Sequence, residues 1–145
     1  MSFIILLELN ISAKSIGVLK SIDGGQNWQT TGLSYNVSQE NRINKIILNP
    51  NFPDSIFAAT NSNIKISVDG GTNWTNVTSQ NGLSMMGRWR DIEFKPNDPS
   101  TMYAAKQISS GGSSIFRSED GGVTWTVTNN GMNSPAKDRP LLAVT

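Results

Sequence analysis

The chain of 145 residues contains no cysteine and no histidine. Those two absences remove thiolate and imidazole zinc sites, cysteine nucleophiles and histidine general bases together. Disulfides go with them, so cysteine usage carries no information about compartment. Charge is scarce as well: charged residues make up 16% of the chain and the net charge is +1. Nothing in that balance supplies the basic surface that nucleic acid requires. No metal site and no cofactor motif stands out, and no apolar run approaches the length that spans a bilayer. The longest such run near the start, residues 3–7, stops at Glu8 without a basic segment before it or a clean small-residue cleavage site after it. It therefore reads as a buried strand and not as a signal peptide, a degenerate signal sequence being the alternative.

What the chain does contain is a repeat. Ser21-Ile22-Asp23-Gly24-Gly25-Gln26-Asn27-Trp28 returns as Ser67-Val68-Asp69-Gly70-Gly71-Thr72-Asn73-Trp74 and again as Ser118-Glu119-Asp120-Gly121-Gly122-Val123-Thr124-Trp125. Asp69 follows Asp23 by 46 residues and Asp120 follows Asp69 by 51, a period that marks a repeat architecture. The Asp-Gly-Gly core is turn chemistry, because Asp accepts hydrogen bonds from nearby amides and Gly tolerates positive φ. Apolar alternation on both sides makes each copy a β-hairpin. The Trp that opens the return strand carries more apolar surface than a lone hairpin can cover, so the units should pack in series. Asp23, Asp69 and Asp120, with Gly25, Gly71, Gly122 and Trp28, Trp74, Trp125, are thus expected to be structural.

Between the turns the units match residue for residue. Residues 42–48, 55–60 and 64–67 lead into the second copy, four short strands in all once the return strand is added. Residues 88–94 and 101–105 repeat the first two of these, with Pro50/Pro96, Pro53/Pro99, Ala58/Ala104 and Ala59/Ala105 all 46 apart. The small Ala pair suits a crowded position between sheets. From Ile64/Ile115 onward the offset is 51, so five residues have entered between 107 and 114, around Gly111-Gly112. Such an insertion lengthens a hairpin loop; it serves binding in many repeat proteins, and it is also a change that loops absorb cheaply.

The Ser-x-Asp-Gly-Gly-x-Asn/Thr-Trp pattern resembles the Asp-box, or BNR, repeat of β-propellers, found in sialidases, xyloglucan-degrading glycosidases, sortilin-type receptors and photosystem assembly factors. The usual Thr is present as Thr124 and replaced by Asn27 and Asn73. The resemblance implies an all-β fold, a partial β-propeller of about three four-stranded antiparallel blades. An incomplete first blade is expected over 1–40, a second over 41–86, a third over 87–137, and the opening strand of a further blade over 138–145. At about 48 residues per unit the chain supplies about three blades where propellers close with 4–8, so both ends read as cut and their edges as open to further blades or to self-association.

In such a fold the first strand of each blade lines the central channel. Arg42 and Arg88 then share one repeat position at the start of that strand, Arg139 falls near the equivalent place, and Arg90 and Asp91 stand close by. Arginine forks suit carboxylates and sugar hydroxyls. Trp89 offers a stacking surface for a sugar, or else is a buried residue between blades. Sialidases pair an arginine triad with a tyrosine nucleophile, whereas Tyr35 lies in a connector and Tyr103 in an apolar strand. The xyloglucan-degrading type needs two carboxylates facing across a cleft; Asp91 is the one candidate here, or it pairs with Arg90 or Arg42. The expectation is a non-catalytic module for binding or scaffolding, part of a larger extracellular protein, with polysaccharide or peptide as its partner and secreted or cell-surface by resemblance. A fragment of a propeller glycoside hydrolase of the xyloglucan-degrading or sialidase type is the alternative.

Overall fold

The computed structural model describes residues 3–9, 14–36, 41–77, 82–83, 87–108, 112–130, 132 and 140–145. These hold eleven strands and no helix. Sheet one is β1 (Phe3–Leu9), β2 (Lys14–Ser21) and β3 (Gln29–Ser34). Sheet two is β4 (Ile43–Leu48), β5 (Ile56–Thr60), β6 (Ile64–Ser67) and β7 (Thr75–Val77). Sheet three is β8 (Arg88–Lys95), β9 (Asp98–Ile108), β10 (Gly112–Ser118) and β11 (Thr126–Val127). Each is an antiparallel meander in chain order. The motif turn always joins the last two strands of a sheet, so β1 and β2 of sheet one correspond to β5 and β6. Among the described residues sheet one has no counterpart of β4 and β8.

The core lies between the sheets and has two layers. Val18, Leu33, Ile43 and Ala58 are buried together between sheets one and two, with Tyr35, Ile46 and Trp74 packed against them. Phe57, Ala59, Ile64, Trp89, Ile92, Met102, Phe116 and Trp125 fill the space between sheets two and three. Strand β5 is buried along its whole length because it has a sheet on either side. Its two alanines divide the work: Ala58 faces back toward sheet one and Ala59 forward toward sheet three. Both are fully buried, as expected of a pair with no room for a longer side chain.

A bulge sets the orientation of the first strand in each complete sheet. The register shifts between Ile43 and Lys45 and again between Trp89 and Asp91, leaving Asn44 and Arg90 as the extra residues. An extra residue reverses the side-chain alternation beyond it. Ile43 and Ile46 consequently face the same layer, as do Trp89, Ile92 and Phe94. A regular strand would have set Trp89 and Ile92 on opposite faces.

Adjacent sheets are also tied by polar contacts. The Gly32 amide donates to the Gly71 carbonyl at 2.8 Å, and the Gly87 amide to the Ser62 carbonyl at 3.2 Å. Asn44 Nδ2 donates to the Trp89 carbonyl at 2.7 Å and Lys45 Nζ to Glu93 at 2.6 Å, fixing β4 beside β8. The inserted residues do not form a slack loop over their described part. The β9–β10 ladder runs on through Lys106–Ser114, Gln107–Ser113 and Ile108–Gly112, beyond where β5 and β6 turn. Gly111, at the centre of the insertion, lies outside the described residues.

Candidate functional site

The three motif turns share one hydrogen-bond network. The Ser hydroxyl accepts the amide of the second Gly, at 2.8 Å in Ser21–Gly25 and Ser67–Gly71 and 2.9 Å in Ser118–Gly122. The same hydroxyl donates to the Asp carboxylate at 2.7–2.8 Å. That carboxylate accepts the amide of Asn27, Asn73 or Thr124, and its second oxygen accepts their side chains. Here Asn Nδ2 does what Thr Oγ1 does, which is why the two residue types exchange at this position. Each indole N–H donates to the carbonyl of the second Gly, at 3.1, 2.9 and 2.9 Å.

This density of donors holds the carboxylates ionised. The Asn27 amide, more than any other group, draws the Asp23 carboxyl well below its usual range, and the Asn73 amide brings Asp69 down to about 2. At Asp120 burial pushes upward, but the Thr124 hydroxyl and amide together with Ser118 outweigh it and the net shift is downward. A carboxylate saturated by its own turn has no proton to give and little capacity left for a ligand.

The opposite end of the sheets is different. Leu48 pairs with Ile56 and Ile56 with Ser67, so the turns lie at the far end of β4 from Arg42. At the near end the Arg42 amide donates to Asn61 Oδ1 at 3.2 Å and the Asn61 amide to the Arg42 carbonyl at 2.9 Å. Arg42, Asn61, Arg88 and Arg90 line a cleft of about 250 Å³ there. The structure thus brings three of the sequence-predicted arginines together; Arg139 lies outside the described residues. Arg90 is the bulged residue, and its Nε and Nη2 both donate to Gln107 Oε1, at 2.9 and 2.5 Å. Gln107 comes from the start of the insertion, so the extra residues extend this rim. Asn61 and Gln107 are the two polar members that the sequence did not single out.

Two expected site residues are placed elsewhere. Trp89 is 1% exposed and belongs to the layer between sheets two and three. Its ring lies 5.1 Å from Phe116 and 5.6 Å from Lys106 Nζ, so no face is left for a sugar. Burial in turn pushes the Lys106 amine downward. Asp91 is 4% exposed and pairs with neither Arg90 nor Arg42. Its Oδ1 accepts the Ile92 amide at 3.0 Å with Lys45 Nζ 3.7 Å away, and its Oδ2 accepts the Leu142 amide at 2.9 Å. The bulge is the cause: beyond Arg90 the alternation reverses and turns Asp91 away from the layer that takes Trp89 and Ile92. Lys45 bridges Asp91 and Glu93, and the hydrogen bond it donates to Glu93 raises its amine above the ordinary lysine range.

No family model matches the chain, and no curated protein matches it. Solved structures do. An ancestral GH74 enzyme aligns at 25% identity and TM-score 0.64, over 77% of this chain and 15% of its own. YCF48 bound to D1 peptide aligns at 18% identity and TM-score 0.54, over 86% of this chain and 42% of its own. The NanB sialidase from Streptococcus pneumoniae aligns at 14% identity and TM-score 0.52, over 79% of this chain and 19% of its own. The chain spans less than half the length of each. These neighbours are β-propellers, and the three stacked meanders are accordingly blades of a partial β-propeller.

Proposed function

We propose that the chain is a non-catalytic propeller module whose arginine-lined rim binds carboxylate-bearing polysaccharide or peptide. The observation that carries this is the convergence of Arg42, Arg88 and Arg90 with Asn61 on one cleft. Planar guanidinium forks recognise carboxylates in pairs and retain their charge at any physiological pH. On this reading the three turns are Asp-boxes of the BNR type and act as scaffold. The protein works outside the cell or at its surface, where such ligands are found.

A second reading, a glycoside hydrolase propeller, is suggested by the likeness to a GH74 enzyme. That chemistry needs two carboxyl groups about 5–9.5 Å apart across a cleft. Among the described residues the first-strand acid Asp91 is buried and hydrogen-bonded through both oxygens, and Glu93 is occupied by Lys45. The geometry therefore favours binding over hydrolysis.

Titration of the purified chain with uronic-acid oligosaccharides and with short peptides of free C-terminus tests the proposal. Binding should fall at least tenfold with Arg88→Ala and again with Arg42→Ala, the fold remaining intact by circular dichroism. Equal affinity for neutral oligosaccharides, or indifference to both substitutions, refutes it. Release of reducing sugar from xyloglucan that is lost with Asp91→Asn would establish the second reading.

A further inference from the structure

We infer that the groove between blades one and two is a second binding site, one that takes a neutral pyranose ring of a glycan. The groove, of about 280 Å³, forms where β3 runs beside the motif turn of blade two, and Lys20, Gln29, Thr30, Thr31 and Thr72 are among its lining. It lies at the turn end of the sheets and shares no residue with the arginine cleft. Pockets for drug-sized ligands run from about 300 to 1,000 Å³, so a hollow of this size suits a single ring.

The same groove recurs between blades two and three, and the comparison isolates what is particular to the first. Ile66, Thr75, Asn76 and Val77 stand there at the repeat positions of Lys20, Gln29, Thr30 and Thr31, and Val123 at that of Thr72. Its volume is nearly equal, about 260 Å³. The backbone thus makes the two hollows alike. The side chains do not, since three apolar groups replace an ammonium and two hydroxyls. Packing between blades has no need of those polar groups, because the second junction is built without them.

The capacity left on the first groove's polar groups defines the ligand. Lys20 Nζ donates to the Gly70 carbonyl at 3.1 Å and, with three hydrogens, can donate again. The Thr31 hydroxyl accepts the Leu33 amide at 3.2 Å, which leaves its own proton to give. The Thr72 hydroxyl donates to the Asp69 carbonyl at 3.2 Å, which leaves its lone pairs to accept. Gln29 and Thr30 are exposed and offer both functions. Donors and acceptors therefore share one small surface. A sugar hydroxyl, which donates and accepts at once, matches that mixture, whereas a fully ionised anion only accepts. The positive charge is offset as well. A Cβ on Gly70 would lie 2.7 Å from Lys20 Nζ and 3.0 Å from Asp54 Oδ1, so ammonium and carboxylate converge on that glycine. Ile22, 69% exposed, adds apolar surface to the lining for the C–H face of a ring.

Titration of the nitrogen-labelled chain with the methyl glycosides of glucose, galactose, mannose and xylose, followed by amide NMR, tests the inference. At least one glycoside should shift the amides of residues 29–32 and 70–72, with a Kd on the order of 1 mM. Lys20→Ile, the residue that blade two carries at this position, should weaken the response about tenfold. Thr72→Val, the residue of the third turn, should weaken it about threefold. Thr72 is exposed, so this variant reads the groove even if Lys20→Ile disturbs the turn. Arg88→Ala should leave the response intact, which separates this site from the arginine rim. The inference is overturned if no glycoside moves these amides or if the shifts centre on the arginine cleft or on the groove between blades two and three. It is equally overturned if sodium sulfate moves them more than any glycoside does, or if both groove variants respond like the parent chain.

Discussion

Replacing Ser67 by Ala removes one hydroxyl from a turn that uses it twice. Its oxygen accepts the Gly71 amide at 2.8 Å and donates to Asp69 at 2.8 Å, and the residue is 1% exposed. The Gly71 amide lies beneath blade one, whose Gly32 amide binds the Gly71 carbonyl, so water cannot replace the lost acceptor. Leaving a buried amide unpaired costs about 1–3 kcal/mol, against about 1 kcal/mol for an ordinary exchangeable hydrogen bond. Ser67→Ala should therefore lower stability by about 2 kcal/mol, read as a shift in urea midpoint at unchanged slope. Ser118→Ala should match it, since Gly122 is buried against Phe57 in the same way. Ser21→Ala should cost about 1 kcal/mol or less in dilute protein, because Gly25 is only half-buried. A cost below about 0.5 kcal/mol at Ser67, or equal costs at Ser21 and Ser67, would refute the account. It would mean that the turns hold without the inter-blade cover.

Trp125→Ala should cost about 3–5 kcal/mol in chemical denaturation, and Trp74→Ala clearly less, because the first is 3% exposed and the second half-buried. Gly82→Ala places a Cβ 2.0 Å from the Trp125 carbonyl oxygen at φ +84, and should part blades two and three, seen as raised amide exchange in β7 and β11. Gly121→Ala, with nothing within 4 Å, should pay only the backbone term and leave exchange in those strands unchanged. The turn carboxylates titrate below their unfolded values, so the stability they confer is present above about pH 4 and is lost as pH falls through about 2, the folded value at Asp69. A urea midpoint that holds from pH 5 to pH 4 and then drops steeply, with a shallower drop in Asp69→Asn, is the expected profile.

The turns were legible because they are local. A serine, an aspartate and two glycines within five residues determine the network, and three copies make chance resemblance untenable. The blade count and the alanine pair followed from the same period. What the sequence could not convey was the bulge. Asn44 and Arg90 carry no mark of being extra residues, yet their insertion reverses the alternation that would otherwise set Trp89 and Ile92 on opposite faces. A strict period of two along 88–94 therefore misplaces both Trp89 and Asp91. The arginines were found because their positions repeat. Asn61 and Gln107 were not, since their roles depend on which hairpin ends meet at one rim. The contact of the Leu142 amide with Asp91 was not legible either.

On the proposed reading the two rims divide stability from recognition for a physical reason. At the turn end nearly every polar group is committed: each Ser oxygen has two partners, each Asp oxygen at least one, and each indole N–H its own carbonyl. A substitution there must preserve a donor at a fixed point, which leaves only exchanges such as Asn for Thr. At the other end the first strands begin, and their side chains project from a ladder that is already held by the layers beneath. Arg88 is exposed there, and the β9–β10 hairpin can lengthen by ladder extension, as it has, bringing Gln107 to Arg90. Ligand preference can therefore change at this rim without a folding penalty. The arginine cleft is the place to look for what distinguishes this chain from other propellers, and the turns are the place to look for what it shares with them.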